Sequence, residues 1–162
     1  MIRVLVAMQR EADSLGIPCE VIGIGGTDIP DISPDDIIVN VGYCGGYKVP
    51  VGTVVEPVVS IDAGTWRTEV LEQHFDCPKS VCFTAQEFVT EPLTEKPAVY
   101  DMELAALAAI NCKKLYVLKI VSDNLDEADC ESFSDEEAWE KVRTLLKGEK
   151  DQIMMTGEFG YS

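Results

Sequence analysis

The chain has 162 residues, 46% of them apolar, with 29 acidic against 13 basic side chains and a formal net charge of −16. This composition suits one globular domain over residues 1–162 with a real core, and excludes a disordered chain. The charge argues against nucleic acid and anionic membrane as partners, since both repel an acidic surface.

Arg3-Val4-Leu5-Val6-Ala7-Met8 reads as a buried strand. Met1 to Ala7 lack the charged, apolar and cleavage regions of a signal peptide, and no apolar run reaches the length of a membrane span. The expectation is a cytoplasmic protein. Gln9 to Gly16 reads as a short helix closed by glycine. Residues 19–26 read as a second strand with a glycine exit, and residues 27–36, with Pro30 and Pro34, as a loop. Gly23, Gly25 and Gly26 lack the full dinucleotide-binding spacing, so that reading is discarded.

Ile37-Ile38-Val39-Asn40-Val41 reads as a third strand running into Gly42-Tyr43-Cys44-Gly45-Gly46. Three glycines at a strand end allow close approach of backbone to a ligand, and equally make a plain tight turn. Residues 49–61 read as a strand or irregular hairpin, 68–75 as a helical turn and 79–84 as a strand. Phe88, in the loop 85–91, reads as ligand wall or as ordinary core.

Residues 98–110 read as one Ala/Leu-rich helix with almost no polar face, and residues 114–121 as an apolar strand ending in Ser122-Asp123-Asn124. Glu103 and Asp123 therefore stand beside buried apolar runs. The plain readings are a carboxylate near a helix N-terminus and a turn residue. Ligands of open α/β sheets, however, sit beyond the carboxyl ends of strands. A capping box from Ser134 to Glu137 opens a closing helix over 135–147, with Trp139, Val142, Leu145 and Leu146 as its apolar face. The acidic run 126–140 reads as a solvated face. Six cysteines without a CxxC pair read as free thiols. One histidine, His74, reads as a surface helix residue, and no metal site is expected. Strands alternating with helices give an α/β, three-layer fold, with a mixed, mostly parallel central sheet flanked by helices.

Four segments together resemble the purine nucleoside phosphorylase superfamily, and within it the methylthioadenosine/S-adenosylhomocysteine nucleosidases. They are Ala7-Met8-Gln9-Arg10-Glu11, Val41-Gly42-Tyr43-Cys44-Gly45-Gly46, Val99-Tyr100-Asp101-Met102-Glu103-Leu104 and Ile120-Val121-Ser122-Asp123. The resemblance implies a nucleoside phosphorylase-like fold, a purine nucleoside substrate, no cofactor and a homodimer. It implies that Asp123 protonates the purine at N7 and that Glu11 activates the attacking water. Met102 and Glu103 would hold the ribose, and Phe88 would stack on the purine, with the backbone of Val89 at its edge. Tyr43, Cys44, Gly45 and Ser122 would complete the pocket. A general acid at the leaving base and anionic groups at the sugar match the charges that develop when an N-ribosidic bond breaks.

Where phosphorylases of the superfamily hold phosphate with an arginine and a serine or threonine, this chain has Asn40 and Tyr43. That favours hydrolysis, of methylthioadenosine or S-adenosylhomocysteine, over phosphorolysis. Arg10 keeps a phosphorylase open as the alternative, and a catalytically weak nucleoside-binding relative is the third reading. The loop 27–36 stands where relatives carry a helix, and the stretch 61–79 is abbreviated.

Overall fold

The structure is a computed structural model that describes the backbone of residues 1–156 and the side chains of residues 1–149. The N-terminal apolar run forms β1 (Ile2–Val6), nearly all of it buried. Met8 then turns the chain into α1 (Gln9–Leu15), where the Glu11 carboxylate accepts the Met8 amide at 2.9 Å. Gly16, at φ 75°, closes the helix in the left-handed conformation that glycine adopts freely.

The second expected strand shrinks to β2 (Glu20–Val21), because left-handed glycines at 23, 25 and 26 bend the chain into a turn. β3 (Ile37–Tyr47) is eleven residues long. It continues through Gly42, Gly45 and Gly46, so the expected glycine loop is strand. The glycines serve close packing. A Cβ on Gly46 would lie 2.6 Å from the Val49 carbonyl oxygen.

β4 (Val54–Asp62) turns back through β5 (Thr68–Val70), which occupies the stretch expected to be a helical turn. Antiparallel pairing with β4, from Ile61–Thr68 to Val59–Val70, imposes the extended form there. His74 is not on a surface helix either. Its ring lies 4.1 Å from that of Tyr116, and its amide donates to Glu56 at 2.7 Å. β6 (Lys79–Thr84) falls where the sequence placed it.

The stretch 98–110 divides into β7 (Ala98–Asp101) and α2 (Leu104–Ala108). Val99 and Tyr100 pair with Gly46 and Gly45 of β3 on one side and with Cys82 and Phe83 of β6 on the other. Hydrogen bonding from both neighbours overrides the local helix preference. Asp101 then starts the helix by accepting the Leu104 amide at 2.8 Å. β8 (Lys114–Asp123) carries the chain to Asp123. α3 (Glu127–Ser132) follows within the acidic run, and α4 (Glu136–Thr156) closes the described chain. Asp135, rather than Ser134, caps α4, accepting the Ala138 amide at 3.1 Å. Trp139, Val142 and Leu146 bury against the sheet with Val39, Leu118 and Ile120, and Leu145 packs beside them.

The mixed, mostly parallel sheet with flanking helices is as expected. The sheet also curls. β3 pairs with β7, β7 with β6, β6 with β4, β4 with β8, and β8 again with β3. These five strands form a closed, barrel-like ring, which the layered expectation did not include, and β1, β2 and β5 extend it. Closure brings the ends of β3, β7 and β8 together. Among the described residues no helix is long and apolar enough to cross a membrane.

Candidate active site

Three carboxylates that are far apart in the chain line one cavity of about 440 Å³: Glu11 from α1, Glu103 from the start of α2 and Asp123 from the end of β8. They are 1%, 6% and 0% exposed. Burial is the largest influence on each and pushes all three carboxyls above their usual range, with Glu103 raised to about 7.

Each acid is held by directed bonds. Glu11 Oε1 accepts from the Met8 amide, and Oε2 from the Tyr43 amide at 2.7 Å. Glu103 Oε2 accepts from the Gly25 amide at 2.8 Å, so the glycine turn after β2 reaches across to the start of α2. Asp123 Oδ1 accepts from Ser122 Oγ and Oδ2 from the Leu125 amide, both at 2.9 Å. Burial raises the Asp123 carboxyl while these bonds pull it down.

The glycines of β3 make room for the acids. A Cβ on Gly45 would lie 3.1 Å from Asp123 Oδ2, and one on Gly42 would lie 3.0 Å from Glu11 Oε2. Tyr43, a bulky residue beside the expected water position, turns its ring toward Phe133 and Trp139, with centroids at 5.3 and 5.6 Å. Its hydroxyl accepts from Trp139 Nε1 at 3.0 Å. Its backbone amide, not its side chain, meets Glu11.

Met102, Phe88, Cys44, Gly45, Tyr43 and Ser122 line the same cavity as the three acids. Val89 stands apart in a small adjoining cleft with Phe88, Gly45 and Leu125. Asn40 does not reach the cavity. Its Nδ2 donates to the Leu5 carbonyl at 3.0 Å and ties β3 to β1.

The sequence reading missed Lys119. It is fully buried, with Nζ 3.0 Å from Asp101 Oδ2 and 3.4 Å from where a Gly42 Cβ would stand, on the point that Glu11 also borders. Burial opposes its charge, but Asp101 and Glu103 outweigh burial and hold the ammonium firmly protonated. Among the described residues Nζ makes no directed hydrogen bond, so its contact with Asp101 is one of charge and its N–H groups remain unspent. A lone lysine inside Tyr116-Val117-Leu118-Lys119-Ile120-Val121 was the available signal. Glu127, Cys130 and Glu131 of α3 also reach the cavity mouth, in a segment read as solvated surface.

The arrangement of closed ring, β1 and flanking helices recurs in solved structures. The MTAN of Chlamydia trachomatis superposes with a TM-score of 0.74 at 12% identity, over 94% of this chain and 98% of that one. The chain shares the fold of that protein. The futalosine hydrolase of Helicobacter pylori superposes with a TM-score of 0.69 at 14% identity, over 93% of this chain and 97% of that one. The 5'-methylthioadenosine/S-adenosyl homocysteine nucleosidase of the same organism gives 0.68 at 15% identity, over 93% and 97%. No family model and no curated protein matches the sequence. The stretch 61–79 is the β4–β5 hairpin and its exit, and 27–36 is an irregular loop.

Proposed function

We propose that the protein hydrolyses the N-ribosidic bond of a purine nucleoside, methylthioadenosine or S-adenosylhomocysteine, and releases adenine. The observation that carries this reading is the convergence of Glu11, Glu103 and Asp123, all buried, on one nucleoside-sized cavity.

In this reading the purine lies between Phe88 and the Asp123 end of the cavity. Asp123, its carboxyl raised by burial, gives its proton to N7 as the C1′–N9 bond breaks. Ser122 and the Leu125 amide fix the carboxyl in place. Positive charge grows on the ribose, and Glu103, accepting from the ribose hydroxyls, offsets it. Glu11, aimed by two backbone amides, takes a proton from the attacking water, whose oxygen bonds to C1′. The Lys119 ammonium favours the ionised form of Glu11, and its unspent N–H groups face the same point. The products are adenine and the 5-substituted ribose.

The superfamily fold and the nucleosidases among its solved structures support this reading. The test is adenine release from methylthioadenosine, S-adenosylhomocysteine and adenosine, and hypoxanthine release from inosine, each with and without phosphate. Phosphate-independent release is the expected result. Release only with phosphate would replace hydrolysis by phosphorolysis, and binding without cleavage would leave a nucleoside-binding protein.

A further inference from the structure

Ser122 Oγ carries one hydrogen and has three acceptors within reach. Asp123 Oδ1 stands at 2.9 Å, the Cys44 carbonyl oxygen at 3.4 Å and Cys130 Sγ at 3.4 Å. A carbonyl and an ionised carboxylate only accept, whereas a thiol both donates and accepts. Ser122 and Asp123 are both buried, so these neighbours decide where the hydrogen points.

Cys130 is the member of this cluster that α3 supplies, and it lines the cavity beside Ser122. Its amide donates to the Asp126 carbonyl at 3.1 Å, and its carbonyl accepts from an Arg10 nitrogen at 3.0 Å. The Arg10 guanidinium is itself stacked on Tyr43, with its carbon 4.6 Å from the ring centroid. The backbone of Cys130 is therefore held from both sides while its thiol meets Ser122. Burial pushes that thiol up, so it keeps its hydrogen at neutral pH. Cys44, its thiol also raised by burial, faces Asp123 from β3, and Glu11 and Glu103 share the cavity.

The pattern of bonds has to change when Asp123 reacts. While the acid holds its proton, Ser122 is free to donate to the Cys44 carbonyl or to Cys130 Sγ. Once the proton has passed to N7, the carboxylate draws the Ser122 hydrogen to Oδ1 in a charge-assisted bond. Cys130 then turns its S–H onto Ser122 Oγ, and the two bonds reinforce each other. No proton changes owner between the three residues; the O–H and the S–H rotate.

We propose that Cys130 is a positioning residue for the general acid, acting through Ser122 as a thiol that changes from acceptor to donor as Asp123 loses its proton. The chain from Cys130 through Ser122 stabilises the carboxylate that forms in the transition state more than the acid that precedes it, so it serves kcat and not substrate binding. This rests on the nucleosidase reading, in which Asp123 is the acid.

The test measures kcat and KM for methylthioadenosine against pH in wild type, Cys130→Ala and Cys130→Ser. Alanine supplies no donor. It should lower kcat by about threefold to tenfold, the worth of one weak hydrogen bond, with KM near the wild-type value. Losing a donor disfavours the carboxylate, so the alkaline limb set by Asp123 should move to higher pH. Serine donates and accepts, and should return both kcat and the limb toward wild type. Unchanged kcat and limb in Cys130→Ala overturn the inference. So does an equal loss of kcat in both variants with the limb unmoved, which is an effect of packing. If wild type cleaves no nucleoside, the nucleosidase reading fails separately. Carbon NMR titration of the Asp123 carboxyl, assigned with Asp123→Asn, then decides the inference. A titration raised in Cys130→Ala and restored in Cys130→Ser supports it, and one that is the same in both variants and wild type overturns it.

Discussion

Lys119 Nζ lies 3.0 Å from Asp101 Oδ2, across the β3 strand that separates β8 from β7, with both side chains closed to water. Gly42 of β3 leaves the space through which the lysine reaches. The ammonium serves Asp101 and also favours the ionised forms of Glu103 and Glu11. Removing it strands buried carboxylates. Lys119→Met should cost about 3–5 kcal/mol, the usual result of breaking a buried pair from one side. The loss should be larger at pH 8 than at pH 5, since Glu103, raised to about 7, is ionised at the higher pH. Lys119→Met combined with Asp101→Asn should recover part of it. Urea unfolding at both pH values checks this.

Asp123→Asn keeps the shape of the side chain and its contact with Ser122, but has no acidic proton to give. Adenine release should fall by about 10²–10⁴-fold, the usual contribution of a general acid, with Tm shifted by only a few degrees. Unchanged turnover in this variant would remove Asp123 from the chemistry.

Gly45→Ala tests whether the placement of Asp123 matters as much as its presence. The new Cβ would meet Leu125 Cδ2 at 2.9 Å and Asp123 Oδ2 at 3.1 Å. Overpacking of this kind costs about 1–3 kcal/mol. Because one of the crowded atoms is the proposed acid, kcat should drop at least about tenfold, as misplacement at a reacting centre costs. A loss of stability with full kcat would show that the acid tolerates displacement.

Glu103 gives a pH dependence with a definite sign. Burial raises its carboxyl from an ordinary value of 4.5 to about 7. Between those values the folded protein binds the proton that the unfolded chain has released. Stability therefore falls as pH rises through that window, and the loss levels off above pH 7. Glu103→Gln removes this contribution, which reaches about 3 kcal/mol at 1.4 kcal/mol per pKa unit. The variant should thus gain thermal stability relative to wild type at pH 8 and show little difference at pH 4.5. Thermal melts at the two values decide it.

Much of the site was legible because its acids stand beside apolar runs. Asp123 after an unbroken strand and Glu103 within an alanine-rich stretch are expensive placements, and expense marks them. Glu11 came from a resemblance of sequence order, not from its local pattern. The division of 98–110 into strand and helix was hidden, because Val99 and Tyr100 are extended only by pairing with Gly46 and Gly45 far earlier in the chain and with Cys82 and Phe83. The same holds for residues 68–70, whose extended form comes from β4. Lys119 was passed over because one charge in an apolar run has no periodicity, and its partners come from α1, β7 and α2. The place of α3 at the cavity rim was hidden because an acidic run there has the composition of one on open surface.

The ring of strands also bears on synthesis. β8 is the last of the described strands to be made, yet it seals the ring between β3 and β4, whose residues leave the ribosome much earlier. Until residues 114–123 emerge, β3 and β4 each present an unpaired edge, and Asp123 and Lys119 have not been made. Nascent chains ending before residue 114 should therefore be open-edged, prone to associate through those strands and without the cavity. The cavity comes into being in a single late event, when one strand docks between two that have been waiting for it.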